Sequence, residues 1–176
     1  MGELILSKLK NDVYSFDCGN NSINRLVYES YYATLLRYAY GFKIDYYNNP
    51  IGYFMVCLRD FEVNMLSERF SDYESILSNK CYSIHIKYIA IDKRFQGHGI
   101  GTKIIHTIIS ETMKKSDNNL PIRMITLDAI KEKITWYENI GFKKLYDEDD
   151  DTLSSTVIMY IDCINDYSIF DEYNSV

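Results

Sequence analysis

Residues 92–102 read Asp-Lys-Arg-Phe-Gln-Gly-His-Gly-Ile-Gly-Thr, three alternating glycines between an apolar stretch and an amphipathic one. Gly97, Gly99 and Gly101 carry no side chain to block close approach. A helix beginning near Gly101 aims its unpaired N–H groups and the positive end of its dipole at an anion. The stretch therefore reads as a pyrophosphate cradle. Two other phosphate loops fail on spacing. A P-loop needs Gly-Lys-Ser/Thr, but Thr102 separates Gly101 from Lys103, and a dinucleotide fingerprint needs its last glycine where Thr102 stands.

Working outward, the β-branched and aromatic run over 82–92 predicts a strand leading into the loop. Ile100, Ile104, Ile105, Ile108, Ile109 and Met113 recur at helical spacing after it, so 102–115 is expected to be a helix with one apolar face. A strand over 122–128 and a last helix over 130–139 follow, the helix stopped by Gly141 in a left-handed conformation. Residues 142–146 and 156–161 are expected to close the sheet as an antiparallel pair, joined through the acidic run 147–151. That run reads as a solvated loop, with a cation or amine site as the alternative. On the amino-terminal side the pattern predicts a strand over 4–9 and a helix or helix pair over 20–37, capped by Asn20, Asn21 or Ser22. Strands over 38–47 and 51–63 are expected around an Asn48-Asn49-Pro50 turn, with a weaker helix or loop over 64–77.

The loop also meets the Gln/Arg-x-x-Gly-x-Gly/Ala pattern through Gln96, Gly99 and Gly101. The strand before it ends in Ile89-Ala90-Ile91-Asp92, and Trp136-Tyr137 precedes Gly141-Phe142 by the spacing of a second hallmark. In these residues the chain resembles the GNAT superfamily of acetyl-CoA-dependent N-acetyltransferases, strongly over 82–146 and weakly elsewhere. The resemblance implies an α/β fold with a mixed, mostly antiparallel central sheet flanked by helices and splayed at the cofactor site. It makes 1–162 a single N-acetyltransferase domain, followed by an acidic tail over 163–176.

The same resemblance distributes the chemistry. The backbone of Gln96, Gly97, His98, Gly99, Ile100, Gly101 and Thr102 would grip the pyrophosphate of acetyl-CoA. The pantetheine arm would pair like an added strand with Ile89, Ala90 and Ile91, where a backbone N–H also polarises the acetyl carbonyl. Tyr137 would be the acid for the departing thiolate, since a phenol near ~10 keeps its proton at neutral pH; a purely packing aromatic is the alternative. The strand over 82–91 lacks the glutamate some members use as base. His85 stands there instead, readable either as a structural hydrogen-bonder or as a base.

The net charge of −6 hides a polarity. Residues 80–146 hold twelve Lys/Arg against six Asp/Glu, whereas 147–176 hold nine Asp/Glu and no Lys/Arg. A basic middle suits a cofactor with three phosphates, and an acidic whole disfavours extended nucleic-acid contact. Cys18, Cys57, Cys81 and Cys163 lack C-x-x-C spacing, and His85, His98 and His106 form no HExxH, so no metal is expected. Neither a membrane-length apolar run nor a signal peptide is visible, which points to the cytoplasm.

Phe16-Asp17-Cys18-Gly19 with Ile23-Asn24 resembles the opening of the GNAT toxins of toxin–antitoxin modules, which acetylate aminoacyl-tRNA; Ile51-Gly52-Tyr53-Phe54 and Asp128-Ala129 resemble further stretches of them. The expectation is an N-acetyltransferase acting on an amine acceptor in a ternary complex. tRNA is admitted as acceptor but disfavoured by charge, a homodimer and an antitoxin are admitted as partners, and a catalytically silent acyl-CoA-binding module is the non-enzymatic alternative.

Overall fold

The computed structural model describes residues 4–11, 13, 15–62, 80–117, 120–145 and 155–163. Among them run β1 (Leu4–Lys8), α1 (Asn21–Leu35), β2 (Tyr40–Tyr46), β3 (Asn49–Glu62), β4 (Lys80–Ile91), α2 (Ile100–Asp117), β5 (Ile122–Ile130), α3 (Ile134–Glu138), β6 (Lys143–Lys144) and β7 (Thr156–Asp162). The strands form a sheet in the order β1-β2-β3-β4-β5-β7-β6. The pairs β1–β2, β2–β3, β5–β7 and β6–β7 are antiparallel. The adjacent β4 and β5 are joined through α2. The expected mixed α/β architecture is present. Residues 64–77, the acidic run 147–151 and the tail beyond Cys163 lie outside the described residues.

The chain divides into two compact units, Met1–Cys57 with Ile86–Ile108, and Leu58–His85 with Ile109–Val176. In the first, Leu9, Phe16, Val27, Ala39, Tyr53, Met55, Tyr88 and Ala90 form a buried core. Helix α1 starts where the Asn20 side chain accepts the Ile23 N–H at 3.1 Å, a cap worth about 1 kcal/mol. It is one helix, not a pair, and ends before a left-handed Arg37 (φ 61°). Buried Thr34 donates to Ser30 O and accepts from Gly41 N, so its hydroxyl is satisfied on both counts.

The β2–β3 turn differs from expectation. Its left-handed residues are Tyr47 (φ 48°) and Asn48 (φ 62°), a two-residue hairpin, while Asn49 and Pro50 already belong to β3. Register decides this. Phe42 faces Phe54 with rings stacked at 4.8 Å and Ile44 faces Gly52, which pulls the turn forward; a bulge at Ile44/Asp45 absorbs Ile51, so that Pro50 stands opposite Asp45.

In the second unit Met124 anchors a small cluster with Cys81, Leu145, Ile158 and Tyr160. The buried Asp162 carboxylate takes Arg123 Nη2 at 3.0 Å, and Cys163, itself buried, donates its N–H to Arg123 O. The expected last helix is shorter than its pattern: Ile130 stays paired with Thr156 in β5, Lys131–Lys133 make a 3-10 turn, and only Ile134–Glu138 is α-helical. Gly141 (φ 109°) ends it as expected, and β6 shrinks to Lys143–Lys144.

Candidate active site

The glycine loop lies in the first unit. Strand β4 ends at Ile91, and Asp92 caps a 3-10 turn over Lys93–Phe95 by accepting Arg94 N at 3.0 Å. Gly97 (φ 77°) and Gly99 (φ 73°) then take left-handed conformations before α2 begins at Ile100. A Cβ on either would meet nothing within 4 Å, so glycine is demanded by the dihedral and not by crowding. The space above the loop is open on the side of this unit. Ile100 and Thr102 are half-buried in the first turn of α2, and exposed His98 has Nδ1 3.3 Å from Phe95 O.

A polar brace fixes this loop from the amino-terminal segment. Asp17 receives Lys93 Nζ at 2.7 Å, Asn24 Nδ2 at 2.9 Å and Gly19 N at 2.8 Å, while its own carbonyl accepts Lys93 N. Lys93 above all, then Asn24 and Gly19, holds the Asp17 carboxyl well below the usual range. Arg94 binds Asp92 through Nε and Nη2 and likewise lowers that carboxyl. Gln96 Nε2 donates to Cys18 O at 2.9 Å and to Ile91 O at 2.8 Å. The motif Phe16–Asn24 is thus a scaffold for the loop, and the side chain of Gln96 serves that scaffold. Lys93 and Arg94 are committed to carboxylates, so the local positive charge that the sequence offered is largely neutralised inside the protein.

The strand edge beside the loop is divided by alternation. Asp92 N donates to Ile51 O, and Ala90 O lies 2.7 Å from where a Gly52 Cβ would stand, so Ala90 and Asp92 turn their peptide groups toward β3. The peptide groups of Ile89 and Ile91 point the other way. Of the three residues expected to meet the pantetheine arm, Ala90 turns its carbonyl toward β3, and the Ile91 carbonyl accepts Gln96 Nε2.

Tyr137 lies in the second unit, on α3. Its ring meets Trp136 at 4.7 Å and Phe142 edge-on at 5.7 Å, and its carbonyl accepts the N–H groups of Ile140 and Phe142. Burial pushes its phenol up to about 12. The same unit holds a polar line that alternates along two strands: Ser83 and His85 on β4, Thr126 and Asp128 on β5, with Arg59 on β3. His85 Nδ1 is 3.1 Å from Thr126 Oγ1, and His85 Nε2 is 3.7 Å from Asp128 Oδ2.

A family model described as an acetyltransferase (GNAT) domain matches residues 41–144. The chain belongs to the GNAT family. It is an acetyl-CoA-dependent N-acetyltransferase. No curated protein matches it, but solved structures do along nearly its whole length. A tyrosine-to-phenylalanine variant of KacT superposes with a TM-score of 0.78 at 20% identity, covering 96% of this chain and 98% of that one. AtaT complexed with acetyl-methionyl-tRNAfMet gives 0.76 at 20% identity, with coverages of 96% and 99%. AtaTR bound with acetyl-CoA gives 0.75 at 19% identity, with coverages of 97% and 98%.

In this GNAT enzyme the loop residues fit the cosubstrate: the left-handed glycines leave an open backbone surface ahead of a helix N-terminus, suited to a pyrophosphate. Among the described residues no group of three His, Cys, Asp or Glu side chains could hold a metal ion, and no helix is long and apolar enough to cross a membrane. The sequence reading did not single out Arg59, Ser83 or Thr126, and took Asp128 only as spacing. The one signal available was polar residues at period two inside otherwise apolar strands.

Proposed function

We propose that this GNAT enzyme transfers the acetyl group of acetyl-CoA to the α-amino group of an aminoacyl-tRNA, and that an antitoxin partner restrains it. The observation that carries the reading is the near-complete correspondence, in both directions, with toxin acetyltransferases, one of them complexed with acetyl-methionyl-tRNAfMet. The bracing of the loop by the toxin-like Phe16–Asn24 segment adds support. In this reading the loop backbone grips pyrophosphate and the strand end over Ile89, Ala90 and Ile91 receives the pantetheine arm. Tyr137 donates a hydrogen bond to the departing sulfur. With its phenol near about 12, above a thiol at ~8.5, full proton transfer to the thiolate runs uphill, so the phenol stabilises that anion while keeping its own proton.

A second reading, a small or peptide amine as acceptor, is favoured by the net charge of −6 and by the engagement of Lys93 and Arg94 with carboxylates. Radiolabelled acetyl-CoA separates the two. Label on the aminoacyl end of a charged tRNA pool, with affinity falling steeply as salt rises, supports the first. Label only on free amines or peptides, insensitive to salt, replaces it with the second.

A further inference from the structure

The strands of the first unit present two faces, and helix α1 lies on one of them. Tyr53, Met55, Tyr88 and Ala90 pack there with Val27 of α1, and Gly41 stands against Thr34 of the same helix. The opposite face follows by alternation. A Cβ on Gly52 would meet Ile44 Cδ1 and Ile91 Cδ1, so these three residues share it. Stepping away from the glycine loop, the same face carries Phe42, Phe54 and Ile89, and then Tyr40, Val56 and Lys87. Across the strands Phe42 faces Phe54, Tyr40 faces Val56, and Lys8 of the edge strand β1 faces Phe42.

Burial falls in step along neighbouring strands. Ile44, Gly52, Phe54 and Ile91 are buried, and Phe42, Val56 and Ile89 are half-buried. Tyr40, at 52%, is exposed, and so are Lys8 and Lys87. The face is therefore closed beside the glycine loop and open away from it. The rings of Phe42 and Phe54, within 12° of parallel, make an apolar floor beside the Tyr40 ring. Unlike Lys93 and Arg94, Lys8 and Lys87 have no carboxylate partner among the described residues. No Asp or Glu alternates onto this face in β1, β2 or the first-unit parts of β3 and β4.

We propose that this open face holds the single-stranded 3′ end of the acceptor tRNA, with a base stacked on Tyr40 and the flanking phosphates on Lys8 and Lys87. Every base has a π-face, and an aromatic platform between cations binds single strands without reading their sequence. The strands of the two lysines lie three spacings apart, about 14 Å, so a chain of more than one nucleotide is needed to touch both. An acidic peptide would use the lysines but has no flat ring to set on Tyr40. The arrangement also answers the net charge of −6, because a polyanion is held where cations lack partners of their own. The inference rests on the aminoacyl-tRNA reading above and names where that acceptor is gripped. Lys8, Tyr40 and Lys87 bind the strand and take no part in the chemistry.

The test uses the full chain and a fluorescent RNA tetranucleotide, ACCA, which carries the CCA end common to tRNAs. In the free protein reductive methylation should reach Lys8 and Lys87, and saturating ACCA should protect both. Lysines unreactive in the free protein would mean that the chain covers this face itself, and unprotected lysines that the RNA lies elsewhere; either result overturns the proposal. By anisotropy Tyr40→Ala should weaken ACCA binding roughly tenfold, and Tyr40→Phe should restore it. Lys8→Gln and Lys87→Gln should each flatten the dependence of log affinity on log salt by about 0.7. Equal binding by wild type and Tyr40→Ala, or equal protection by polyglutamate, would assign the face to acidic partners in general and overturn the RNA. Acetyl transfer keeps the two readings apart. If wild type, Tyr40→Ala and Lys87→Gln acetylate methionyl-tRNA with the same KM, the face is wrong and the acceptor reading stands. If ACCA binds in a Tyr40-dependent way but no aminoacyl-tRNA is acetylated, the acceptor reading falls and the face stands as an RNA site.

Discussion

The two compact units tie down their polar groups by opposite means. The first uses ion pairs, Asp17 with Lys93 and Asp92 with Arg94, to hold the glycine loop. The second uses neutral hydroxyls buried between strands, Ser83 and Thr126, to orient one imidazole. Surface pairs contribute little stability singly, but three contacts converging on the Asp17 carboxylate, with a fourth to its backbone carbonyl, set the position of a segment. Buried hydroxyls add little charge, yet each must be satisfied, so their donor directions are forced. One arrangement fixes where a backbone lies, and the other fixes where a buried ring stands.

The contrast is broken most severely at Gly99. Gly99→Glu adds a side chain to open space at a left-handed position, so the fold should lose only about 1–2 kcal/mol. Acetyl-CoA binding measured by calorimetry should nevertheless vanish, because a carboxylate then stands where the proposed site takes the pyrophosphate. A folded variant with unchanged affinity would remove the loop from the site. Tyr137→Phe comes next: turnover should fall roughly 10²- to 10⁴-fold with acetyl-CoA affinity retained, and equal turnover would leave the ring with packing alone.

Gly52→Ala is the structural counterpart of the change at Gly99. Its Cβ would lie 2.7 Å from the backbone oxygen of Ala90, which cannot swing aside, so a loss of about 1–3 kcal/mol is expected in denaturant melts. A neutral result there would mean that β3 and β4 slide more easily than their contacts imply.

The smallest effects are in pH, with opposite signs for the two units. The folded pKa of Asp17 is depressed, so its contribution is present above the unfolded value near ~3.9 and is lost as pH falls below it. Melts of Asp17→Asn and wild type should differ constantly down to about pH 4 and converge below. The folded pKa of Tyr137 is raised, so its contribution is complete below about 10 and is lost as pH rises toward about 12. Tyr137→Phe and wild type should therefore diverge only in that alkaline window.

The sequence by itself determined the strand–loop–α2 segment, the Asn20 cap and the stop at Gly141, because each is a matter of residues within a few positions of one another: glycine dihedrals, helical spacing and a capping side chain. It also determined the family, since both hallmarks are short and local. The tertiary structure alone decided the rest. The hairpin turn moved to Tyr47-Asn48 because cross-strand pairs, not turn propensity, set the register. Asp17 and Cys18 became supports for a loop 76 and 78 residues away, and His85 came within hydrogen-bond distance of Thr126, 41 positions on. A hydrogen bond has no sequence signature when its partners lie on different strands, because only the folded sheet brings the two side chains to the same face.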